Sequence, residues 1–209
     1  FEEMAIAPDL SAVYLVGKAY FKKRRFKEGE RRYQYELHRL DKAGIKSLFF
    51  DEPGKHSEGI KPLWKDGKLV CAGFYADRKD NRYNGLEYFL VNPQTLSVLK
   101  RKYHPFSEQF MLDKFGKETD KTIKNLVFKG AHFTEDGSLL FNAEEFFVTE
   151  SMQTNASGGR VRIERFHHND IVSVKFDPQG ELVWARNINK TEVTQGDSAY
   201  TSYSSFSRD

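Results

Sequence analysis

Cysteine is nearly absent from this sequence of 209 residues, which contains only Cys71. A single cysteine excludes an intrachain disulfide framework. Because Cys71 lies in an apolar stretch, we expect it to be a small buried hydrophobic residue. An excess of one charge is lacking too, since 33 basic and 30 acidic residues leave a net charge of +3. That balance argues against electrostatic binding of nucleic acid.

Long apolar runs and the short motifs of common enzymes are also missing. No run of about 18 apolar residues occurs, so the sequence predicts no membrane-spanning helix. It contains no glycine-rich phosphate loop, no serine-nucleophile motif and no His-Glu metalloprotease motif. The sequence begins with Phe1 rather than methionine. That start is compatible with removal of a signal peptide, a lipid anchor or a tag.

Aromatic residues are abundant, and they occur in short runs between turn-forming residues. The chain has 18 Phe and 10 Tyr, and 30% of its residues are charged. Aromatic and β-branched residues fit pleated, half-buried surfaces, and the high charge is compatible with a well-solvated exterior. The composition therefore predicts an all-β domain.

Two kinds of turn recur along the chain. One kind comprises Asp41–Gly44, Asn92–Thr95 and Asp177–Gly180, and each of these lies between two β-rich runs. The other kind occurs upstream in each unit, at Pro8-Asp9, Lys65–Lys68 and Glu135–Ser138. Turns of two to four residues between short strands are typical of antiparallel meanders.

The runs between these turns predict eleven strands in three groups. They are 13–21, 33–40 and 45–50; 60–64, 69–75, 86–91 and 96–103; and 126–133, 139–148, 171–176 and 182–188. A further run, 200–206, resembles the first strand of a fourth unit. Gly17 and Gly73 occupy matching places in two strands, where a small residue suggests close packing between neighbouring sheets.

Repeated β-units of this length favour a β-propeller or a related array. We predict a single domain over 1–209, with repeat units at about 1–59, 60–125 and 126–199 and the start of a fourth at 200–209. This is a propeller segment of about three four-stranded antiparallel blades plus the first strand of another. Because open arrays leave unpaired edges, we expect a fragment of a larger propeller. Residues 107–122 predict a short helical insertion.

Alternating strand directions place the long connections of each sheet at one end. These connections are 22–32, 51–59, 77–85, 104–125, 149–165 and 189–199. Binding residues are concentrated on loops that a rigid scaffold positions, so we expect any site at the loop-bearing end.

Three groups of residues could carry chemistry, and each has a simpler structural explanation. The basic loop from Lys22 to Arg32 could bind an acidic surface, but a solvated loop is the simpler interpretation. His167 and His168 are adjacent on a strand and should point to opposite faces, so they should not share a metal ion. The remaining histidines have no ligand-like spacing: His38, His56, His104 and His132.

Acidic residues offer the last candidates. Glu144, Glu145 and Glu150 could supply a carboxylate pair for glycoside hydrolysis, although neighbours on a strand point apart. A buried glutamate here could have a raised pKa. The Asp turns are too short for EF-hand calcium loops. Asn155 and Asn189 match the acceptor pattern for glycans.

The third unit carries a resemblance. Its sequence contains GSLLFNAEEFF from Gly137, then NDIVSVKFDPQGELVWARNINK from Asn169, then YTSY from Tyr200. These phrases resemble uncharacterised repeat-containing proteins exported by Bacteroidota, over about 126–206 and more weakly over the first two units. The resemblance implies a propeller-like fold and a periplasmic, cell-surface or secreted location. This chain departs from the pattern at Asn187–Lys190, which lacks the expected proline.

The sequence therefore predicts a non-catalytic scaffold that binds a protein or glycan partner through its loop-bearing end. The protein partner could also be the remainder of the propeller. We expect no nucleic-acid partner and no cofactor, and we assign no catalytic, cofactor-binding or metal-binding residue. One alternative is a propeller-type hydrolase that acts on glycans or esters with carboxylates at a central channel. The other is a purely structural subunit whose sheet edges pair with another chain.

Overall fold

The computed structural model describes residues 1–21, 32–78, 82–117, 123–154, 156–197 and 201–204. These residues form thirteen strands and one helix, so the chain is all-β. The strands are β1 (Glu3–Ile6), β2 (Ala12–Tyr20), β3 (Tyr33–Asp41), β4 (Gly44–Phe49), β5 (His56–Lys65), β6 (Lys68–Ala76), β7 (Gly85–Val91), β8 (Val98–Pro105), β9 (Leu126–Phe133), β10 (Leu139–Thr154), β11 (Arg160–Phe176), β12 (Leu182–Ile188) and β13 (Glu192–Gln195). The helix, α1, spans Glu108–Phe115.

The strands form three antiparallel sheets. Sheet 1 has the order β1-β2-β3-β4, sheet 2 has β5-β6-β7-β8, and sheet 3 has β12-β11-β10-β9 with β13 paired to β11. Consecutive strands are neighbours throughout sheets 1 and 2 and from β9 to β12 in sheet 3, as the short turns predicted, whereas β13 pairs with β11 and not with β12. All eleven predicted strands are present, whereas β1 and β13 were not predicted.

The chain folds as two compact units. Unit 1 comprises Phe1–Phe106, Asp120–Lys124 and Asp177–Leu182, and it holds sheets 1 and 2. Unit 2 comprises Ser107–Thr119, Asn125–Phe176 and Val183–Asp209, and it holds α1 and most of sheet 3. The described residues include no helix with the length and hydropathy of a membrane-spanning segment.

Unit 1 is built around an apolar core between its two sheets. Sheet 1 contributes Tyr14 and Leu37, sheet 2 contributes Cys71 and Phe89, and Phe50 lies between them in sequence. The Phe50 and Phe89 ring centroids are 5.2 Å apart. The Tyr14 hydroxyl donates a hydrogen bond of 2.9 Å to the Pro93 carbonyl, which joins the sheets at their turn ends. Alternating apolar residues of β2, β3, β6 and β7 form this core.

Gly73 permits a close approach within sheet 2, not between sheets as the sequence suggested. A Cβ atom there would lie 1.7 Å from the carbonyl oxygen of Gly59 on the neighbouring strand. A β-bulge between Ser57 and Gly59 produces this approach. At Gly17, a Cβ atom would meet the side chain of Phe1 at 3.1 Å.

Helix α1 is shorter than the predicted insertion over 107–122, and residues 118–122 lie outside the described ranges. The Ser107 side chain accepts a hydrogen bond from the Phe110 amide, and Gly116 ends the helix with φ of 68°. Phe110 is fully buried. Such caps satisfy amide and carbonyl groups at the helix ends, so eight residues suffice.

Two predictions about strands and loops are wrong. Residues 149–165 were expected to be a long loop, but β10 and β11 run through most of this range. Residues 201–204 were expected to belong to a strand, but they form none. The rest of that run, 200 and 205–206, lies outside the described residues, as do 207–209. The prediction of one domain over 1–209 stays a prediction.

Candidate functional site

A buried carboxylate on β10 is surrounded by four hydrogen-bond donors. Glu144 is fully buried. Its oxygens lie 2.9 Å from His168 Nδ1, 2.9 Å from Lys129 Nζ, 2.8 Å from Lys190 Nζ and 2.7 Å from Ser202 Oγ. We name these five residues the Glu144 cluster. The cluster connects β9, β10, β11, the segment after β12 and residues 201–204, all within unit 2.

Irregular pairing in sheet 3 occurs at the Glu144 cluster. The register between β10 and β11 shifts between Glu144 and Phe146, and the register with β9 shifts between Asn142 and Ala143. Bulges of this kind redirect side chains locally. Glu144 is therefore buried although the apolar alternation of β10 does not identify it as a core position.

The neighbours of Glu144 hold it in its charged form. Burial by itself would raise the pKa of Glu144, but the hydrogen bonds from His168, Lys190, Lys129 and Ser202 outweigh it and lower the pKa to about 2. A carboxylate that accepts several hydrogen bonds is stabilised in this way. At neutral pH, Glu144 is a fixed negative charge and not a proton donor. The sequence raised the possibility of an elevated pKa here, and this possibility is wrong.

A second group of ion pairs connects α1 to sheet 3. The ammonium of Lys114, which is almost fully buried, lies 3.0 Å from Glu145 and 2.6 Å from Asp170. Asp170 also accepts a hydrogen bond of 3.1 Å from the Lys190 amide. Lys190 Nζ in turn lies 3.1 Å from Glu192. Burial would lower the pKa of Lys190, but its hydrogen bonds to Glu144 and Glu192 raise it.

His168 has two ring nitrogens in different surroundings. Because a carboxylate only accepts hydrogen bonds, Nδ1 donates its proton to Glu144. Nε2 is buried and has no hydrogen-bond partner among the described residues. The His168 ring packs against Phe146 with centroids 4.8 Å apart. The oxygens of Asn187 (Oδ1), Thr194 (Oγ1) and Tyr203 (OH) are likewise buried without a partner in the described part of unit 2.

Strands β10 and β11 continue past the end of β9 as a ribbon, which β13 joins at the base and which is two-stranded beyond β13. They pair from Phe146 opposite His168 to Thr154 opposite Arg160, whereas β9 pairs with β10 only as far as Glu145. Strand β13 pairs with Arg165–His168 at the base of this segment. We name residues 146–154 and 160–168 the ribbon.

Side chains of the ribbon contact each other across and along its strands. Arg162 forms ion pairs with Glu150 and with Glu164. The rings of Phe147 and His167 are stacked with centroids 4.4 Å apart. Cross-strand pairs of this kind stabilise two-stranded segments. Three apolar side chains nevertheless remain exposed, because Val148 is 41% exposed, Met152 62% and Val161 46%.

The predicted histidine and glutamate candidates do not assemble into a metal site or a carboxylate pair. His168 contacts Glu144, whereas His167 donates to or accepts from Thr149 Oγ1 at 2.8 Å, so the two rings have separate partners as predicted. No group of three potential metal ligands occurs among the described residues. Glu145 and Glu150 bind Lys114 and Arg162 respectively, not Glu144.

The other histidines also have local partners or exposed positions. His38 Nδ1 lies 2.8 Å from Ser47 Oγ, and His56 Nδ1 lies 3.0 Å from Asp51. His104 Nε2 lies 2.9 Å from the Gly180 carbonyl, and His132 is exposed.

The turn residues and Cys71 behave as the sequence predicted. Asp41, Asn92, Asp136 and Asp177 each accept a hydrogen bond from a backbone amide two residues ahead, at 2.7 to 3.0 Å. These are Asx turns. Cys71 is fully buried, and burial together with the charge of Glu87 raises the pKa of its thiol.

The basic loop and one of the two glycan-acceptor asparagines fall outside the part of the chain that the structure describes. Residues 22–31 of the basic loop and Asn155 lie outside the described residues. Asn189 is exposed, and its Nδ2 donates a hydrogen bond of 2.8 Å to the Asp113 carbonyl.

Sequence reasoning missed Lys129, Lys190 and Ser202, the cationic and hydroxyl partners of Glu144. They are 15, 46 and 58 residues away from it in the chain. No local pattern connects them, because only the pairing of four separate segments brings them together. The one available signal was the pair of charged residues, Glu144 and Glu145, inside an otherwise apolar run.

Comparison with known proteins gives a weak structural similarity and no family. No family model matches the chain, and no curated protein matches it. Among solved structures, the chain is similar to a protein of unknown function from Bacteroides caccae. The two chains are 10% identical, with a TM-score of 0.35, over 89% of this chain and 81% of the other. A similarity at this level carries no functional argument.

Proposed function

We propose that this chain is a β-propeller segment and a non-catalytic binding scaffold, in which the three four-stranded sheets are blades. Each sheet is an antiparallel meander, and sheets 1 and 2 bury a common apolar core in unit 1. Propeller blades have this form. The expected place of the scaffold is a cell-envelope or secreted assembly, and that expectation rests on the sequence resemblance alone.

The ribbon is the observation that carries the binding role. Its strands extend past the sheet that folds them, and their pairing is continuous over nine residues of β10. The extension buries little apolar surface, since Met152 and Val161 remain exposed. A segment that adds little to the core, yet is held in one conformation, favours contact with a partner.

The Glu144 cluster supports this role from the base of the ribbon. His168 is both the last ribbon residue of β11 and a donor to Glu144. The Lys190 ammonium contacts Glu144 and donates to the His168 carbonyl at 3.2 Å. The cluster therefore fixes the position at which the ribbon leaves sheet 3. A fixed starting point reduces the conformational entropy that a partner would have to remove on binding.

Binding by ribbon variants tests this proposal. The protein would be immobilised and presented with a glycan array and with an envelope extract of a Bacteroidota species. We expect a ligand of the wild-type protein to be lost from the double variant Met152→Ser, Val161→Ser. The control is Leu99→Ser, which changes a similarly exposed apolar residue of β8. Retention by the double variant, or no ligand for the wild-type protein, would contradict the proposal.

The alternative function is hydrolysis of glycans or esters, and His168 is the observation that favours it. A histidine whose Nδ1 is held by a buried carboxylate has the orientation of a general base, with Nε2 left to accept a proton. However, no described hydroxyl or thiol is hydrogen-bonded to Nε2. Glu144, at a pKa of about 2, cannot act as the acid of a carboxylate pair.

Hydrolysis of p-nitrophenyl acetate and of p-nitrophenyl glycosides tests the alternative. If the chain is a hydrolase, wild-type activity should fall at least about a hundredfold in His168→Gln, the loss typical of a missing general base. The control is His167→Gln, which removes a neighbouring imidazole outside the cluster. Equal background rates for all three proteins would reject the hydrolase.

A further inference from the structure

Strand β4 is an edge strand of unit 1 that is unusually open to solvent. Among the described strands it pairs with β3 alone, and five of its six residues are exposed. Two of these residues are large and apolar, since Ile45 is 70% exposed and Phe49 is 51% exposed. An open apolar edge offers backbone groups and side chains for pairing with another strand.

The pairing with β3 determines which backbone groups of β4 face outward. Glu36 lies opposite Phe49, so Tyr35 and Phe50 are the next pair along the two strands. The amide of Phe50 donates a hydrogen bond of 3.4 Å to the Tyr35 carbonyl, so this pair is a hydrogen-bonded one. Hydrogen-bonded and non-hydrogen-bonded pairs alternate along antiparallel strands. Even-numbered residues of β4 are therefore bonded to β3, and the odd-numbered residues Ile45, Ser47 and Phe49 present their N–H and C=O groups to the open edge.

Two other edge strands of unit 1, β8 and β1, carry protection that β4 lacks. Strand β8, the last strand of sheet 2, contains three consecutive cations at 100–102, and β1 has only four residues. Charges and short length are the usual means by which edge strands avoid pairing. The single charge of β4 is Lys46, and its Nζ donates to the Gln94 carbonyl at 3.2 Å. The Lys46 ammonium, the one charge of β4 that could prevent another strand from pairing, is therefore held by this hydrogen bond.

We propose that β4 pairs antiparallel with β4 of a second copy of this chain, around a two-fold axis at Ser47. In this register Ser47 lies opposite the partner's Ser47, and Ile45 lies opposite the partner's Phe49. Residues that face each other across antiparallel strands share a face, and Ile45 and Phe49 are both odd-numbered. Lys46 lies opposite the partner's Leu48, so no like charges meet.

Self-complementarity is the reason that the occupant is a second copy. In the register centred on Ser47, the outward-facing N–H and C=O groups of residues 45, 47 and 49 lie opposite those of residues 49, 47 and 45 in the second copy. The same register pairs the two exposed apolar residues with each other. An isologous contact requires this property of a single surface. A peptide from an unrelated protein would need no such symmetry, and that occupant is an outcome of the test below.

Sedimentation equilibrium over a range of concentrations tests the dimer. We expect the wild-type protein to approach twice the chain mass of 24.3 kDa at high concentration. The variant Ser47→Lys places two ammonium groups opposite each other and should raise the dissociation constant at least about tenfold. Ser47→Glu should weaken the dimer similarly. A mixture of the two variants should dimerise again, because opposite charges then face each other.

Two controls keep this test decisive. Leu99→Lys adds a charge at a comparably exposed site on β8 and should leave the dissociation constant unchanged. Ile45→Asp, which is also on the exposed edge, should weaken the dimer as Ser47→Lys does. A wild-type protein that stays monomeric would overturn the proposal. A dimer whose dissociation constant changes in neither Ser47→Lys nor Ile45→Asp would also overturn it, as would a mixture of the two Ser47 variants that does not dimerise. If the wild-type protein is monomeric, the occupant of the β4 edge would have to be a different protein.

Discussion

Unit 1 and unit 2 fill their interiors with different chemistry. The core of unit 1 is mostly apolar and aromatic, with Phe50, Phe89 and Tyr103 in contact through their rings, although unit 1 also buries Glu58 and Glu87. Sheet 3 in unit 2 also has an apolar face, but its irregular end encloses the Glu144 cluster. An apolar core tolerates many alternative residues of similar volume, whereas a buried charge needs specific donors. The two units should therefore respond differently to substitution, acid and salt.

The largest expected effect breaks the tight packing of unit 1. In Gly73→Ala, the new methyl group would lie 1.7 Å from the Gly59 carbonyl oxygen, so β5 or β6 must move. We expect the free energy of unfolding to fall by about 4 kcal/mol, as for severe overpacking and backbone strain. Urea denaturation measures this change. The control Gly17→Ala meets only the movable Phe1 ring, and a similar loss there would refute the backbone explanation.

The second effect breaks the charged cluster of unit 2. Glu144→Gln removes the carboxylate that Lys129 and Lys190 share and leaves Lys190 only Glu192. We expect a loss of about 3 kcal/mol in the free energy of unfolding, as for a broken buried ion pair. The matched control is Glu150→Gln, because the Glu150–Arg162 pair on the ribbon is more than half exposed. Exposed pairs contribute less than about 1 kcal/mol. Equal losses in the two variants would show that burial of Glu144 does not matter.

Acid should reduce the difference between the wild-type protein and Glu144→Gln. The pKa of Glu144 is lowered from 4.5 to about 2 in the folded state. A lowered carboxyl pKa stabilises the fold above the unfolded value, and this stabilisation is lost as pH falls towards the folded value. We expect most of it, about 3 kcal/mol at 1.36 kcal/mol per pKa unit, to disappear between pH 4.5 and 2. Urea titrations at several pH values measure it, and a constant difference would contradict the mechanism.

A smaller effect concerns the segment after β13. Ser202 Oγ donates a hydrogen bond of 2.7 Å to Glu144, which fastens residues 201–204 to the cluster. Ser202→Ala should cost about 1.5 kcal/mol, the value of a hydrogen bond to a charged acceptor. Ser204→Ala is the control, since Ser204 is exposed. Amide hydrogen exchange would show whether residues 201–204 open more often in Ser202→Ala. Equal exchange rates in the two variants would mean that the Ser202 hydrogen bond does not hold this segment to Glu144.

The smallest effect sharpens the contrast between the cluster and the ribbon. Met152→Ser and Val161→Ser change exposed side chains, so each should alter the free energy of unfolding by less than about 0.5 kcal/mol. Thermal unfolding would measure this change. A much larger fall in the free energy of unfolding in either variant would mean that the ribbon contributes to the core of unit 2. That result would contradict a binding role for the ribbon.

Local patterns predicted most of the fold because short antiparallel strands are encoded locally. Alternation of apolar residues located β2, β3, β6 and β7, and Asp or Asn turns located their ends. The same patterns failed at 149–165, where polar residues suggested a loop. Both faces of the ribbon are open to water. Strands β10 and β11 therefore need no apolar alternation in this segment, because contacts between side chains of the two strands stabilise it.

The candidate site was predicted only in its outline. Glu144 and His168 were identified as residues that could carry chemistry, and the opposite orientation of His167 and His168 was predicted correctly. The partners of Glu144 were not predicted. Lys129 and Lys190 are ordinary surface residues by sequence, and only the folded unit 2 brings both of them to one carboxylate.

By itself, the sequence determined the all-β class, the strand order within each meander, the turn positions and the burial of Cys71. These properties depend on residues a few positions apart, which interact in any conformation that forms the strand or the turn. Only the tertiary structure decided that Glu144 is a charged anchor, that β10 and β11 extend as a ribbon and that β4 remains an open edge. Each of these depends on contacts between distant segments, whose energies exist only after the sheets have formed.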